Sequence, residues 1–102
     1  KCIPKILKIV EDYFGIKLDK ESLHYERFVT HLKFLTQRIV KKELLDNPDK
    51  KFKEVIEELY PEEYKCAGKV RDYIEEHFEY QITEEELAYL TVHIRRVILA
   101  DQ

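Results

Sequence analysis

The 102-residue sequence has no methionine and no tryptophan, and only two glycines, three prolines and two cysteines. Each scarcity excludes something. Cys2 and Cys66 stand 64 positions apart and outside any C-x-x-C pair. Two such thiols cannot form the disulfide framework of a small secreted domain, and a cysteine zinc site needs more ligands. The expected setting is therefore reducing and cytoplasmic. No apolar run approaches the roughly 20 residues that span a bilayer, and nothing resembles a signal peptide. The chain also lacks a basic excess. Its 18 Lys+Arg against 21 Asp+Glu leave a net charge of −3, which argues against a surface that coats nucleic acid. It has no glycine-rich phosphate loop and no Ser/Cys–His pairing, so an enzyme is not expected. The missing methionine, initiator included, is what a fragment cut from a longer protein would show.

What is present is ample apolar material, 44% of residues with seven Tyr and five Phe. That composition folds, and the length suits one domain. Charge is uneven: residues 1–51 hold twelve basic and eight acidic side chains (+4), residues 52–102 six and thirteen (−7). Such a split steers partners or merely coats helix faces.

Apolar residues recur at three- and four-residue steps throughout, the period of amphipathic helices. The spacing predicts five of them, at about 2–14, 22–44, 48–59, 61–77 and 84–100, joined by short connections in a single compact all-α bundle. The first carries Ile3, Ile6, Leu7, Val10, Tyr13 and Phe14, with Gly15 where a C-terminal cap belongs. Asp19 or Ser22 can cap the second, whose stripe is Tyr25, Phe28, Leu32, Leu35 and Ile39. Asn47-Pro48 reads as a cap followed by proline at the first position of the third helix, which carries Phe52, Val55, Ile56 and Leu59. Pro61 opens the fourth, with Tyr64, Ala67, Val70 and Ile74. Gly68 weakens that helix and is expected to admit a close helix crossing. Thr83 and Glu86 form T-x-x-E, a capping box, ahead of Leu87, Leu90, Ile94, Val97 and Ile98.

On a wheel centred on Phe28, His24, His31, Arg38 and Arg27 fall about 40°, 60°, 80° and 100° to one side, where the core meets water. His93 takes the corresponding boundary position on the last helix, near Glu86 and Tyr89. His77 closes the fourth helix, where an imidazolium faces free carbonyls. A boundary histidine is ordinarily a half-buried polar residue. Glu21-x-x-His24 is a single E-x-x-H where a carboxylate-bridged metal bundle uses two, so no metal or cofactor is expected.

Two stretches carry more than spacing. Arg27-Phe28-Val29-Thr30-His31-Leu32-Lys33-Phe34-Leu35-x-x-Arg38 resembles the first histidine motif of the PTS regulation domain, or PRD. Glu86-Leu87-Ala88-Tyr89-Leu90-Thr91-Val92-His93-Ile94-x-Arg96 resembles the second. The similarity runs over essentially the whole chain and is nearest to bacterial transcriptional antiterminators of the BglG/LicT/SacY type, more to their second PRD than to their first. The resemblance implies phosphorylation of His31 and His93 by phosphotransferase-system carriers, HPr or a sugar-specific enzyme II component, with Arg38, Arg96 and Arg27 supporting the phosphate. It further implies control of homodimerisation, with RNA bound by a separate domain that precedes this one. Chemically this is coherent: a neutral imidazole accepts a phosphoryl group, and guanidinium groups stabilise the charged product. Two alternatives share the same stripes, a plain helical dimerisation module and a PRD of a DNA-binding activator.

Overall fold

Helix formation follows the predicted periodicity closely. A computed structural model describes residues 2–44 and 50–99. Its elements are α1 (Cys2–Phe14), α2 (Leu23–Lys41), α3 (Lys50–Leu59), α4 (Pro61–His77) and α5 (Glu84–Leu99), with no strand among the described residues. The expected Asn47-Pro48 start of α3 and the expected end of α5 at residue 100 lie outside the described residues.

The caps explain where the helices stop. Gly15 has φ +66°, and the N–H of Ile16 donates back to Glu11 O at 3.1 Å, so α1 closes in a Schellman turn. Ser22, not Asp19, caps α2: its Oγ accepts the Tyr25 N–H at 3.0 Å. α2 ends at Lys41, three residues before the expected Leu44. Lys42 adopts the left-handed conformation (φ 58°), and the Glu43 N–H reaches Arg38 O at 2.9 Å. This is a second Schellman turn, built without glycine. Two contacts hold it, Lys42 Nζ donating to Glu79 O at 2.7 Å and Tyr80 Oη to Glu43 O at 2.8 Å. Pro61 sits at the start of α4, and Thr83 Oγ accepts the Glu86 N–H at 3.1 Å at the start of α5.

α5 is the central element, packed against α4, α3 and α2, while α1 closes the far side against α2 and α4. Its predicted stripe is buried in full, Leu87, Leu90, Ile94, Val97 and Ile98, and interlocks with Phe28, Leu32, Leu35 and Ile39 of α2 and Val70 and Ile74 of α4. The radius of gyration, 12.8 Å, is that of one packed domain of this length. Two expectations change. On α3 only Ile56 of the predicted stripe is buried, whereas Val55 and Leu59 are exposed. Gly68 admits no close crossing: a Cβ there would meet only its own helix's Arg71 side chain, at 3.6 Å. The connections contribute core residues that periodicity passed over. Leu18 and Ile82 are buried, their N–H groups held by Glu11 and Glu75 carboxylates at 2.9 and 3.0 Å.

Candidate functional site

α2 and α5 run antiparallel, so residues seven positions apart on one helix meet residues seven positions apart on the other. His31 lies against His93 and, two turns along, Arg38 against Glu86. The two imidazole rings stack, with centroids 4.5 Å apart and planes 28° apart. Phe28, one turn before His31, lies 6.2 Å from the His93 ring with its plane only 13° away. The rings are thus held by aromatic contacts on the edge of the core.

Beneath them lies a charged pair. Glu86 is fully buried, and Arg38 grips it with both ends of its fork, Nε to Oε2 at 2.9 Å and Nη2 to Oε1 at 2.8 Å. His31 Nε2 points to the same carboxylate, 3.6 Å from Oε1. It is itself buried and has no hydrogen-bond partner. The His31 side chain keeps 15% of its surface exposed.

Two openings flank the rings. A shallow cavity of about 500 Å³ is bordered by Leu23, Glu26, Arg27, Thr30, His31, Phe34 and His93. A second, of about 660 Å³ between α3 and α5, is bordered by Phe52, Ile56, Tyr89, Val92, His93 and Arg96 among others. His93 stands on the partition between them. The three arginines therefore divide: Arg27 and Arg96 are exposed at the two mouths, and Arg38 lies in the floor, engaged by Glu86.

The electrostatics keep both rings neutral. Burial, with His93 and then the Arg38 guanidinium adding to it, pushes His31 down to about 4. Burial also lowers His93, with Arg96 second. Burial raises the Glu86 carboxyl above its ordinary value, while Arg38 pulls it back. A neutral imidazole has one N–H and one free lone pair, so at neutral pH each ring offers a nucleophilic nitrogen.

The other candidates lie apart. His24 is half-buried on α2, with Nδ1 unpartnered. His77 is exposed at the end of α4, within 3.0 Å of Tyr73 O and 4.7 Å from the Tyr73 ring. Cys66 is buried and its thiol is pushed up to about 12 by burial. Among the described residues no three His, Cys, Asp or Glu side chains could together hold a metal ion, and no helix is long and apolar enough to cross a membrane.

Glu86 does more than the T-x-x-E pattern implies: its N–H donates the expected cap bond to Thr83 Oγ, while its carboxylate turns inward to Arg38. The signal was in the mirrored spacings: arginine seven after one histidine, glutamate seven before the other.

The fold and this edge define a class: a five-helix bundle presenting two stacked, neutral histidines on an arginine-lined edge. Over residues 4–97 the sequence matches the family model described as PRD domain, and the chain belongs to that family. It is 43% identical over 98 residues to the transcription antiterminator LicT of Bacillus subtilis, covering 96% of this chain and 35% of that protein. It is 37% identical over 97 residues to the beta-glucoside operon antiterminator of Dickeya chrysanthemi (95% and 34%). With protein GlcT of Staphylococcus aureus it shares 39% over 92 residues (90% and 32%). The chain spans about a third of the length of these relatives.

Proposed function

We propose that this domain is a regulatory phosphoacceptor of a sugar-responsive transcription antiterminator in the cytoplasm, and corresponds to the second PRD of such a protein. A phosphotransferase-system carrier, HPr or a sugar-specific enzyme II component, transfers a phosphoryl group to His31 and His93. The transfer shifts homodimerisation and through it the RNA binding of a separate domain. The observation that carries this reading is the pair of neutral imidazoles stacked at 4.5 Å beside an opening to solvent. Neutrality supplies the lone pair a phosphoryl acceptor needs. Arg27 and Arg96 at the two mouths supply donors for the phosphate oxygens. Arg38 acts from below through Glu86.

The link to assembly rests on the surroundings of the pair. Leu23 and Phe34 border the same opening and are 55% and 54% exposed, an apolar rim suited to a second copy. A phosphoryl group adds about two negative charges there and changes what the rim can pack against. The names of two relatives, transcription antiterminator and beta-glucoside operon antiterminator, support a regulated process in transcription and sugar use.

The test is incubation of the chain with phosphoenolpyruvate, enzyme I and HPr, with and without the enzyme II component. An acid-labile mass increase is expected on the wild type and its loss in a His31→Ala, His93→Ala double variant. No label from any carrier would overturn the reading, and label surviving in the double variant would overturn the choice of residues.

A further inference from the structure

We infer that Glu86 is a positioning residue that holds the neutral His31 imidazole in its Nε2–H tautomer and so presents Nδ1 as the atom that takes the phosphoryl group. This rests on the phosphoacceptor reading for the transfer itself, while the tautomer stands on geometry alone. His31 Nε2 is sealed from solvent, and it has no hydrogen-bond partner. The charged group it faces is Glu86 Oε1 at 3.6 Å. That carboxylate cannot turn away. It is fully buried, and both its oxygens are engaged by the Arg38 fork at 2.8 and 2.9 Å.

An ionised carboxylate only accepts hydrogen bonds. Were Nε2 to carry the ring's lone pair, two acceptors would oppose each other at an atom sealed from solvent, whereas an Nε2–H turns the same contact into attraction. The proton settles on the nitrogen that faces the carboxylate, as in any histidine oriented by an acid. The lone pair is then on Nδ1. The ring's exposed surface cannot come from Nε2, so it lies elsewhere on the imidazole, on the side that borders the cavity with Arg27. Sterics agree. A phosphoryl group on Nε2 would occupy the volume of the Glu86 carboxylate and set like charges against each other. Stacking on His93 at 4.5 Å fixes the plane in which this choice is made.

The transfer balances without an added acid or base. The Nδ1 lone pair forms the new N–P bond as the N–P bond of the carrier's phosphohistidine breaks, and that electron pair returns to the carrier's imidazole. The positive charge left on the His31 ring is shared by Nε2–H, opposite the Glu86 carboxylate that offsets it.

The test reads the tautomer before any phosphorylation. In the ¹⁵N-labelled chain at neutral pH, long-range ¹H–¹⁵N spectra should show His31 Nδ1 in the pyridine-like range and Nε2 in the pyrrole-like range. The opposite assignment would overturn the proposal. In Glu86→Gln, whose carbonyl Arg38 can still hold, the amide NH₂ faces Nε2 and the two ranges should exchange. An unchanged spectrum from a folded variant would remove Glu86 from the role. Should the variant not fold, the wild-type assignment decides alone. After phosphorylation by HPr, the ³¹P–¹⁵N coupling should fall on Nδ1, and coupling to Nε2 would overturn that assignment. Failure to phosphorylate at all counts against the phosphoacceptor reading and leaves the tautomer result to judge Glu86.

Discussion

Helix α5 carries one arginine–glutamate contact on each flank, and the two differ in burial more than in chemistry. Toward α2, Arg38 holds Glu86 through two hydrogen bonds at 2.8 and 2.9 Å, with the glutamate side chain 1% exposed. Toward α4, Arg95 reaches Glu63 through one bond at 3.1 Å. This glutamate is buried too, 8% exposed, but its arginine is 39% exposed against 20% for Arg38, and lies 5.2 Å over the Tyr60 ring. The first pair lies beside the stacked imidazoles, with Glu86 Oε1 3.6 Å from His31 Nε2. The second closes a helix seam with its glutamate buried and its arginine open to solvent. Desolvation is what separates a structural contact from one that sets the chemistry of its neighbours.

The largest expected effect breaks the α2 flank. Arg38→Ala leaves the Glu86 carboxylate buried and unpaired, and should cost about 3–5 kcal/mol in urea unfolding. Glu63→Gln on the α4 flank should cost only about 1 kcal/mol, because the amide oxygen can still accept from Arg95 and that arginine, 39% exposed, keeps part of its solvation. Replacing Arg38 and Glu86 together by Met and Leu should recover most of the first loss, since the penalty belongs to the unpaired charge. Similar losses at both flanks would erase the distinction.

A smaller effect comes from acid. In the unfolded chain His31 takes a proton near its ordinary 6.5, while in the fold it resists to about 4. Between these values the unfolded state binds more protons, so stability falls as pH drops from about 6.5 to 4, by at most about 3 kcal/mol. His93, also lowered, adds in the same direction, and Glu86, raised, opposes it. The difference between wild type and His31→Gln isolates the His31 part. Parallel stability–pH curves for the two would contradict a buried neutral ring.

The smallest effect lies on α4. Gly68→Ala should raise stability by about 0.5–1 kcal/mol, the helix-interior difference between the two residues. A thermal or urea midpoint that fell would mean that a neighbouring helix needs the space.

The five helices were legible because core packing demands a 3.6-residue repeat. The buried stripes of α2 and α5 emerge from Phe28, Leu32, Leu35, Ile39 and Leu87, Leu90, Ile94, Val97, Ile98 as predicted. The end of α2 was not legible. No glycine marks the left-handed turn at Lys42, and the contacts that hold it come from Glu79 and Tyr80, 37 residues away. The same limit hid the floor of the site. A T-x-x-E pattern describes a local cap correctly, yet Glu86 is drawn inward by an arginine 48 positions earlier in the chain. His31 and His93 were legible as a pair only through the wording around them, since a helical wheel places a residue on a boundary without saying what lies across it.

Tyr80 gives the α2 flank one more property. Its buried ring sits beside Arg38 and Glu86 while its hydroxyl ties down the end of α2. Counterions weaken exposed charges over a Debye length of about 8 Å at physiological ionic strength, and they do so through water. Lys8–Asp12 on α1, both side chains well over half exposed, will loosen as electrolyte rises. Arg38–Glu86 meets far less water, its side chains being 20% and 1% exposed. The field felt by His31 is therefore set mainly by the fold and responds less to electrolyte than the surface pairs do.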